Sequence, residues 1–214
     1  MTAVAVPIRE LAPDRLYEAS RSPELVRVPE IAFLMVDGHG DPNTAADYRD
    51  VIQALYSLSY TLKFSLRKEL GLDYRVGPLE GLWWSADMAA FTHGRKADWD
   101  WTMMIAQPDV VTPERLDRAR DEIRRKKGLP GLDRVRLERF EEGLAAQVLY
   151  LGSYSEEGPT IQALHQFVRD AGYTFESPGL KHHELYLGDP RRSAPEKLRT
   201  IIRQPVDQDR GVST

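Results

Sequence analysis

Two similar hexapeptides, each at the end of a predicted β-strand, most strongly limit what this 214-residue chain can fold into. MMIAQP occupies residues 103–108, and TIIRQP occupies residues 200–205. Each hexapeptide closes a segment whose hydrophobic pattern predicts a strand, a helix and two further strands. The same order of elements in both halves indicates a duplicated unit. We therefore predict an α+β fold of two β-α-β-β repeats with pseudo-two-fold symmetry.

The predicted repeats span residues 30–128 and 132–206 and form one domain. We expect their antiparallel sheets to form a concave ligand cleft, with the helices on the outer face, since such clefts are usual places for small-molecule sites. The first 29 residues contain four prolines without sustained periodicity, which favours an extended N-terminal arm. The polar residues 207–214 predict a frayed tail.

Hydrophobic periodicity places the elements within the repeats. The longest helix is predicted from Asp47 to Leu70, because apolar residues recur at spacings of three and four and Gly71 follows as a C-terminal cap. A second helix, Pro113–Lys127, follows the good N-cap residue Thr112. The other predicted elements are strands at 31–36, 74–84, 99–106, 135–140, 145–151, 182–187 and 198–206 and a helix at 159–170.

Composition and charge exclude several classes of function. Because the chain has no cysteine, it has no disulfide, no thiolate metal ligand and no cysteine nucleophile. The formal net charge is −4, and the basic residues are dispersed except at Arg124–Lys127, where they would stabilise the C-terminal end of a helix. Nucleic acid is therefore not an expected partner.

The chain also lacks targeting patterns. No apolar run approaches the roughly 18–20 residues of a membrane span. The N-terminal sequence MTAVAVPIREL lacks the basic and apolar regions of a signal peptide. We expect a cytoplasmic protein without a membrane partner.

The segment KHHELYL is the richest in chemistry, because a strand sends alternate side chains to opposite faces. Glu184 then shares one face with His182 and Tyr186, and Leu185 and Leu187 share the other. If the leucines pack under the helices, Glu184 points into the predicted cleft. A partly desolvated carboxylate there could be a general base or the counter-charge of a cationic ligand. The alternative is a solvated glutamate on an open sheet face.

Neither a metal nor a cofactor is predicted. The neighbouring His182 and His183 point to opposite faces, whereas a catalytic zinc ion generally needs three protein ligands. The chain has no glycine-rich phosphate loop, no nucleophile elbow and no recognisable serine triad.

Aromatic residues form a second signal. The tryptophans fall within two adjacent predicted strands, at Trp83, Trp84, Trp99 and Trp101. Trp83 and Trp84 face opposite ways, so at least one of them should line whatever lies opposite the helix layer, whereas the face of Trp101 could also be core. On the long helix, Tyr56 and Tyr60 lie beside the leucine stripe, either as ligand contacts or as a polar flank.

Tyr154 lies on the predicted turn out of a strand and just before a helix, where functional groups are often displayed. Its ring could instead brace the loop. The sequence alone leaves both interpretations open.

Several motifs follow one another along the chain, and together they identify a family. They are ALYS at 54–57, LEGLWW at 79–84, WDW at 99–101, LGSY at 151–154, HHELYL at 182–187 and TIIRQP at 200–205. From about Val28 to Val206 the chain resembles the GyrI-like family, relatives of the small-molecule-binding domain of bacterial multidrug-responsive transcription regulators. LGSY is similar to the family's His-Ile-Gly-Pro-Tyr, with Ser153 in place of the usual proline.

The resemblance implies two β-α-β-β repeats around an aromatic-lined cleft, with Glu184 near its centre. In the regulators, the matching glutamate helps to hold flat, lipophilic, cationic drugs. Some stand-alone members are similar to hydrolases that open the strained cyclopropane of DNA-alkylating natural products of the duocarmycin and yatakemycin type. The resemblance thus implies a cofactor-independent hydrolase that gives antibiotic resistance or detoxification by acting on a small aromatic polycyclic ligand.

Roles for single residues follow from that resemblance. Glu184 would act as general base on water, while Tyr154 or Tyr56 would donate a hydrogen bond to the oxygen that gains negative charge. The predicted ligand-binding residues are Trp83, Trp84, Tyr60, Trp101, His182 and Tyr186. The alternative function is a non-catalytic binder or sensor of flat lipophilic or cationic drugs. Binding to DNA gyrase follows from the family name alone, and no residue pattern favours it.

Overall fold

The computed structural model describes residues 6–86 and 95–208, which fold as two compact units. The central unit is one continuous segment, Ile31–Phe140. The terminal unit combines the chain up to Glu30 with the chain from Glu141 onward. Residues 1–5 of the predicted arm and 209–214 of the predicted tail lie outside the described residues.

Strands and helices follow one another as the predicted α+β class requires. The strands are β1 (Ile8–Glu10), β2 (Glu24–His39), β3 (Leu79–Trp84), β4 (Asp100–Gln107), β5 (Arg136–Leu151), β6 (Tyr173–Thr174), β7 (His182–Tyr186), β8 (Arg199–Pro205) and β9 (Asp207–Gln208). The helices are α1 (Ala46–Leu70), α2 (Pro113–Lys126) and α3 (Gly158–Asp170). Within the described residues, none of the helices has both the length and the apolar character of a membrane span.

In the central unit, α1 packs against β4 and α2 through one apolar face. The residues of this face are at most 1% exposed, namely Val51, Leu55, Leu58, Leu62 and Leu66. Burying each of the leucines contributes about 1.5–3 kcal/mol. Gly71 ends the helix with a φ of 68°, a left-handed conformation that costs glycine no steric strain.

The sheet of the central unit has β4 as its middle strand, antiparallel to both β2 and β3. Gly38 of β2 lies directly opposite Trp101 of β4. A Cβ atom at position 38 would lie 2.0 Å from the indole ring. Glycine is therefore required there, because the ring packs over its backbone.

The sheet of the terminal unit has β8 as its middle strand, antiparallel to both β7 and β5. The register aligns Glu184 with Ile202 and Ile202 with Val148. Directly opposed residues share a face, so these three side chains project from the same side of the sheet. Helix α3 covers this side, since its Leu164 and Val168 join Val148 and Ile202 in one buried apolar cluster.

Each unit contains a strand, a helix and an antiparallel hairpin in the predicted order, and each hexapeptide lies at the end of a hairpin. The α+β class is thereby confirmed. The pseudo-two-fold symmetry between the repeats stays a prediction.

The start of the chain is hydrogen-bonded to the rest of the terminal unit. Strand β1 runs parallel to β2, which begins at Glu24, inside the predicted arm. Arg9 binds the Glu24 carboxylate through Nε at 2.9 Å and Nη2 at 2.6 Å. Further along, the carbonyl of Leu16 accepts a hydrogen bond of 2.8 Å from Nη2 of Arg203 on β8.

Candidate functional site

Side chains alternate along β7 as the sequence predicts. His182, Glu184 and Tyr186 lie on one face and are partly exposed, whereas His183 and Leu185 are buried on the other. The side chain of Glu184 is 16% exposed. The carboxylate is therefore largely shielded from water, unlike a glutamate on an open sheet face.

Helix α3 covers a different face of the sheet from the one expected. The sequence pattern places the leucines of β7 under a helix and Glu184 on the opposite side, but α3 covers the side of Ile202 and Glu184. The reverse side carries the fully buried Arg203, whose guanidinium needs polar partners such as the carbonyl of Leu16. The apolar face of α3 could not supply such partners, so it packs on the opposite side, which also carries Glu184.

The Glu184 carboxylate is held by its neighbour on the same face. Nε2 of His182 lies 3.2 Å from Oε1 of Glu184, and the His182 side chain is 14% exposed. With Glu184 ionised, the imidazole donates this hydrogen bond and fixes the orientation of the carboxylate. A carboxylate oriented in this way can accept a proton from a bound water.

Glu184 acts electrostatically on a second carboxyl group, that of Glu157. Glu157 directly precedes α3, is 4% exposed and makes no side-chain capping hydrogen bond to the helix. Its Oε1 has no hydrogen-bond partner among the residues that the structure describes. A buried polar atom without a partner costs free energy unless a ligand or water satisfies it.

Burial, and then the negative charge of Glu184, raise the pKa of Glu157 to about 9. The hydroxyl of Thr200 acts in the opposite direction, although no hydrogen bond of good geometry joins it to the carboxyl group. Glu157 therefore keeps its proton at neutral pH. Two carboxyl groups in different protonation states can serve as an acid and a base. We call Glu157 and Glu184 the carboxyl pair.

Tyr154 joins the same region through Tyr186. The two rings meet edge to face, with centroids 5.5 Å apart and planes at 75°. Tyr186 shares its strand face with Glu184, and Tyr154 lies on the short turn that leads to Glu157. The structure thus brings together His182, Glu184, Tyr186 and Tyr154, all of which the sequence analysis selected.

His165 of α3 is a further ionisable neighbour of this region. Its ring stacks on Phe175, with centroids 3.9 Å apart and an interplanar angle of 18°. Burial, and then the charge of His182, lower the pKa of His165 to about 4. His165 is therefore neutral at physiological pH and adds no positive charge beside the carboxyl pair.

The tryptophans predicted to bind ligand lie in the central unit. Trp101 is fully buried, and its indole N–H donates a hydrogen bond of 3.2 Å to the carbonyl of Gly40. Trp83 is 5% exposed and meets the ring of Trp99 edge to face at 5.7 Å. Trp84 is half-buried. Trp101 and Trp83 therefore pack as core residues, and a ligand-binding role for the tryptophans stays a prediction.

Tyr56 and Tyr60 form a row of stacked rings along α1. Their centroids are 6.4 Å apart, and Phe64 continues the row at another 6.4 Å. Tyr60 is 47% exposed and Phe64 is 60% exposed, whereas Tyr56 is half-buried. The catalytic role of Tyr56 and the ligand-binding role of Tyr60 stay predictions.

Nothing in the described part of the chain groups three His, Cys, Asp or Glu side chains in a way that could hold a metal ion.

The sequence analysis missed Glu157. An acidic residue immediately before Gly158-Pro159 is typical of an ordinary helix start, where the helix dipole favours an ionised carboxylate. The sequence carries no signal for a protonated carboxyl group at this position, because its proton depends on burial and on a residue of β7.

Comparison with known proteins agrees with this fold. The family model for the GyrI-like small molecule binding domain matches residues 21–207. An uncharacterized conserved protein from Listeria innocua is 42% identical, with a TM-score of 0.84, and the alignment covers 91% of this chain and 97% of that protein. A structure named as a hydrolase from Listeria innocua is 40% identical, with a TM-score of 0.79 and coverage of 91% and 96%.

A more distant structure shares the fold alone. The C-terminal domain of EcmrR is 14% identical, with a TM-score of 0.54, and the alignment covers 87% of this chain and 98% of that domain. Comparison with curated proteins finds no match. Since the family model spans most of the sequence, the chain belongs to the GyrI-like family of small-molecule-binding domains.

Proposed function

We propose that this protein is a hydrolase that adds water to the strained cyclopropane of flat, DNA-alkylating compounds of the duocarmycin and yatakemycin type. The observation that carries the proposal is the carboxyl pair, in which the buried Glu157 keeps its proton at neutral pH and the Glu184 carboxylate is held by His182. Membership of a small-molecule-binding family and 40% identity to a structure named as a hydrolase support it. Destroying such alkylators would protect the cell that contains the enzyme.

The chemistry of these substrates needs little catalytic machinery. A cyclopropane ring is fused to a dienone, so attack of water on the ring CH₂ breaks a strained C–C bond. The electron pair of that bond moves into the dienone, which becomes an aromatic phenol. The reaction needs a base for the water and an acid for the carbonyl oxygen, but it needs no redox cofactor.

The carboxyl pair supplies both groups. Glu184, oriented by His182, takes a proton from the water as its oxygen bonds to the ring carbon. Glu157 gives its proton to the former carbonyl oxygen as negative charge develops there. A proton transfer from Glu184 to Glu157 then restores the starting state. General base catalysis and oxyanion stabilisation together contribute roughly 10⁴–10⁶-fold if they act independently.

Tyr154 is an alternative donor to the substrate oxygen. Its ring contacts Tyr186, which shares a strand face with Glu184, and its side chain is 38% exposed. The two aromatic rings would also contact a flat substrate and exclude water from it.

Replacing Glu184 with glutamine tests the proposed base. We expect E184Q to lower kcat by about 10²–10⁴-fold, because an amide cannot accept the proton of water. The affinity for a neutral ligand should change little, since the amide keeps the size of the side chain and its oxygen can still accept the hydrogen bond from His182. Turnover is measured by mass spectrometry as the gain of one water by a cyclopropane-containing alkylator, and affinity by fluorescence titration.

The matched control for this experiment is E196Q, which changes an exposed glutamate between β7 and β8. It should retain the native rate. Native turnover in E184Q would exclude the proposed base, and absence of the water adduct with the unaltered protein would exclude the hydrolase.

The pH dependence tests the proposed acid. Native kcat should fall as the pH rises through about 9, because Glu157 then loses the proton that it donates. E157Q should lower kcat by about 10²–10³-fold and should lack this alkaline decrease. A native pH profile in E157Q together with a large loss of kcat in Y154F would instead assign the donor to Tyr154.

A non-catalytic binder is the second candidate function, and the family description as a small-molecule-binding domain favours it. Such a protein would protect the cell only by binding the compound, one molecule of compound for each binding site. Multiple turnovers per protein molecule in the mass-spectrometric assay exclude the binder, whereas binding without any water adduct supports it.

A further inference from the structure

Helices α1 and α2 of the central unit leave a groove between them. Its volume is about 320 Å³, which is room for about ten water molecules. The short side chains of Thr61 and Ser65 line the α1 wall, and the longer side chains of Arg115, Arg118 and Arg125 line the α2 wall. Guanidinium groups match the geometry of phosphate and carboxylate oxygens, so the groove has the chemical character of an anion site.

Three carboxylates also line the groove, but each of them already has a basic partner. Glu69 accepts hydrogen bonds from Arg115 Nη1 at 2.5 Å and from Ser65 Oγ at 2.8 Å. The other two carboxylates bind side chains three and four residues further along α2, in the pairs Asp121–Arg124 at 3.1 Å and Glu122–Lys126 at 2.6 Å. These ion pairs offset the negative charge that the carboxylates bring to the groove.

Arg118 and Arg125 differ from the other basic residues of the groove. Within residues 6–86 and 95–208, neither guanidinium forms a hydrogen bond or an ion pair, and Arg118 acts on Glu69 and Glu114 through its charge alone. The two arginines are seven positions apart, which places them on the same face of α2 and about 10 Å apart along its axis. Their long side chains can therefore reach one compact anion from two sides.

The excess of positive charge extends along both walls of the groove. Residues 61–70 and 113–127 together contain ten Lys or Arg and five Asp or Glu, although the whole chain has a net charge of −4. The helix dipole favours the basic residues in the last turns of both helices. Arg118 lies in the middle of α2, where the dipole gives no such advantage.

We propose that the groove between α1 and α2 is a binding site for a triphosphate group, inorganic or part of a nucleotide, which Arg118 and Arg125 hold from two sides. The site lies wholly within the central unit and does not depend on the proposed hydrolase. A triphosphate carries several negative charges on closely spaced groups, so its oxygens accept hydrogen bonds from both guanidinium groups at once.

The arginines are the donors in this site. The hydroxyls of Thr61 and Ser65 already donate to the Ser57 carbonyl and to Glu69, so these two residues provide space rather than hydrogen bonds to the anion. Because the guanidinium groups replace backbone N–H donors, the site needs no glycine-rich phosphate loop.

Isothermal titration calorimetry tests the site with sodium triphosphate and with adenosine triphosphate as probes. Each is titrated into the full-length protein in a buffer without phosphate or divalent cations, at low and at physiological ionic strength. The variants are R118Q, R125Q, R118Q/R125Q and R118K/R125K. The matched control, R191Q/R192Q, removes two exposed arginines from the turn between β7 and β8.

We expect one triphosphate to bind per protein molecule, more weakly as the ionic strength rises. R118Q and R125Q should each weaken binding by about tenfold, and R118Q/R125Q by about a hundredfold, because charge-assisted hydrogen bonds are lost. R118K/R125K should give an intermediate loss, since lysine keeps the charge but lacks the planar fork. The control should keep an affinity close to that of the native protein.

The two probes distinguish the source of the triphosphate. Equal affinities show that the site recognises the phosphates alone, and tighter binding of adenosine triphosphate shows that it takes a nucleotide. Equal weakening in R118Q/R125Q and R191Q/R192Q would show attraction by overall charge and would overturn the inference. Failure of both probes to bind the native protein would overturn it as well.

Discussion

At Glu157, burial and the neighbouring charge of Glu184 raise the pKa of the carboxyl group, whereas the dipole of helix α3 would lower it. The N-terminal end of a helix stabilises a nearby carboxylate by about 0.3–1 kcal/mol. A pKa raised from 4.5 to about 9 corresponds to about 6 kcal/mol in the opposite direction. Desolvation and the charge of Glu184 therefore outweigh the dipole, and a proton is kept at a position where a helix would otherwise favour a negative charge.

The same residue should lower the stability of the native protein at alkaline pH. The native state holds the Glu157 proton up to about pH 9, whereas the unfolded chain loses it near 4.5. The contribution of Glu157 to stability is thus most favourable below pH 4.5 and becomes less favourable as the pH rises towards 9. E157Q removes this titration, and we expect it to be about 2–4 kcal/mol more stable than the native protein at pH 8 by urea denaturation.

At pH 4 the native protein and E157Q should differ little, because the carboxyl group is then mostly protonated in the unfolded chain as well. The control E196Q should follow the native curve at both pH values. Parallel pH dependence of stability in E157Q and the native protein would show that Glu157 is ionised in the folded state.

At the scale of elements, a buried polar network links the segment around Leu16 to strands β5, β7 and β8 by hydrogen bonds. The Arg203 guanidinium is 1% exposed, donates to Glu142 Oε2 at 3.1 Å and to Gln147 Oε1 at 3.0 Å, and also reaches the Leu16 carbonyl. His183 lies 2.8 Å from the Glu142 carboxylate. The network lies behind the strand that carries Glu184, on the side away from α3.

Removing one member of this network should be costly. R203M leaves Glu142 buried without its guanidinium partner, and we expect a loss of about 3–5 kcal/mol in the free energy of unfolding. The double variant R203M/E142Q should recover part of that loss, because it removes the unpaired charge. Urea denaturation measures both effects.

R199M is the control, since Arg199 lies on the same strand but is exposed, and its cost should stay within about 0.5 kcal/mol. Equal costs for R203M and R199M would show that the buried pair contributes nothing specific. A native rate of turnover in folded R203M would show that the network stabilises the unit without positioning Glu184.

At the scale of the whole molecule, the chain enters and leaves the central unit through two long strands. β2 and β5 each cross a boundary between the units, at Glu30–Ile31 and at Phe140–Glu141. The predicted arm thereby becomes part of the terminal unit, together with the hairpin that carries Glu184. The sequence-based boundary at residue 30 and the structural boundary at Glu30–Ile31 nearly coincide, but the structure groups the segment before it with the chain from Glu141 onward.

The sequence by itself determined the features that depend on residues close to one another along the chain. The leucine spacing and Gly71 predicted α1 to within one residue of its observed start, and strand alternation correctly placed Glu184 with His182 and Tyr186. Only the tertiary structure decided the protonation of Glu157 and the side of the sheet that α3 covers. These depend on burial and on charges brought together by distant segments, and local periodicity contains no information about either.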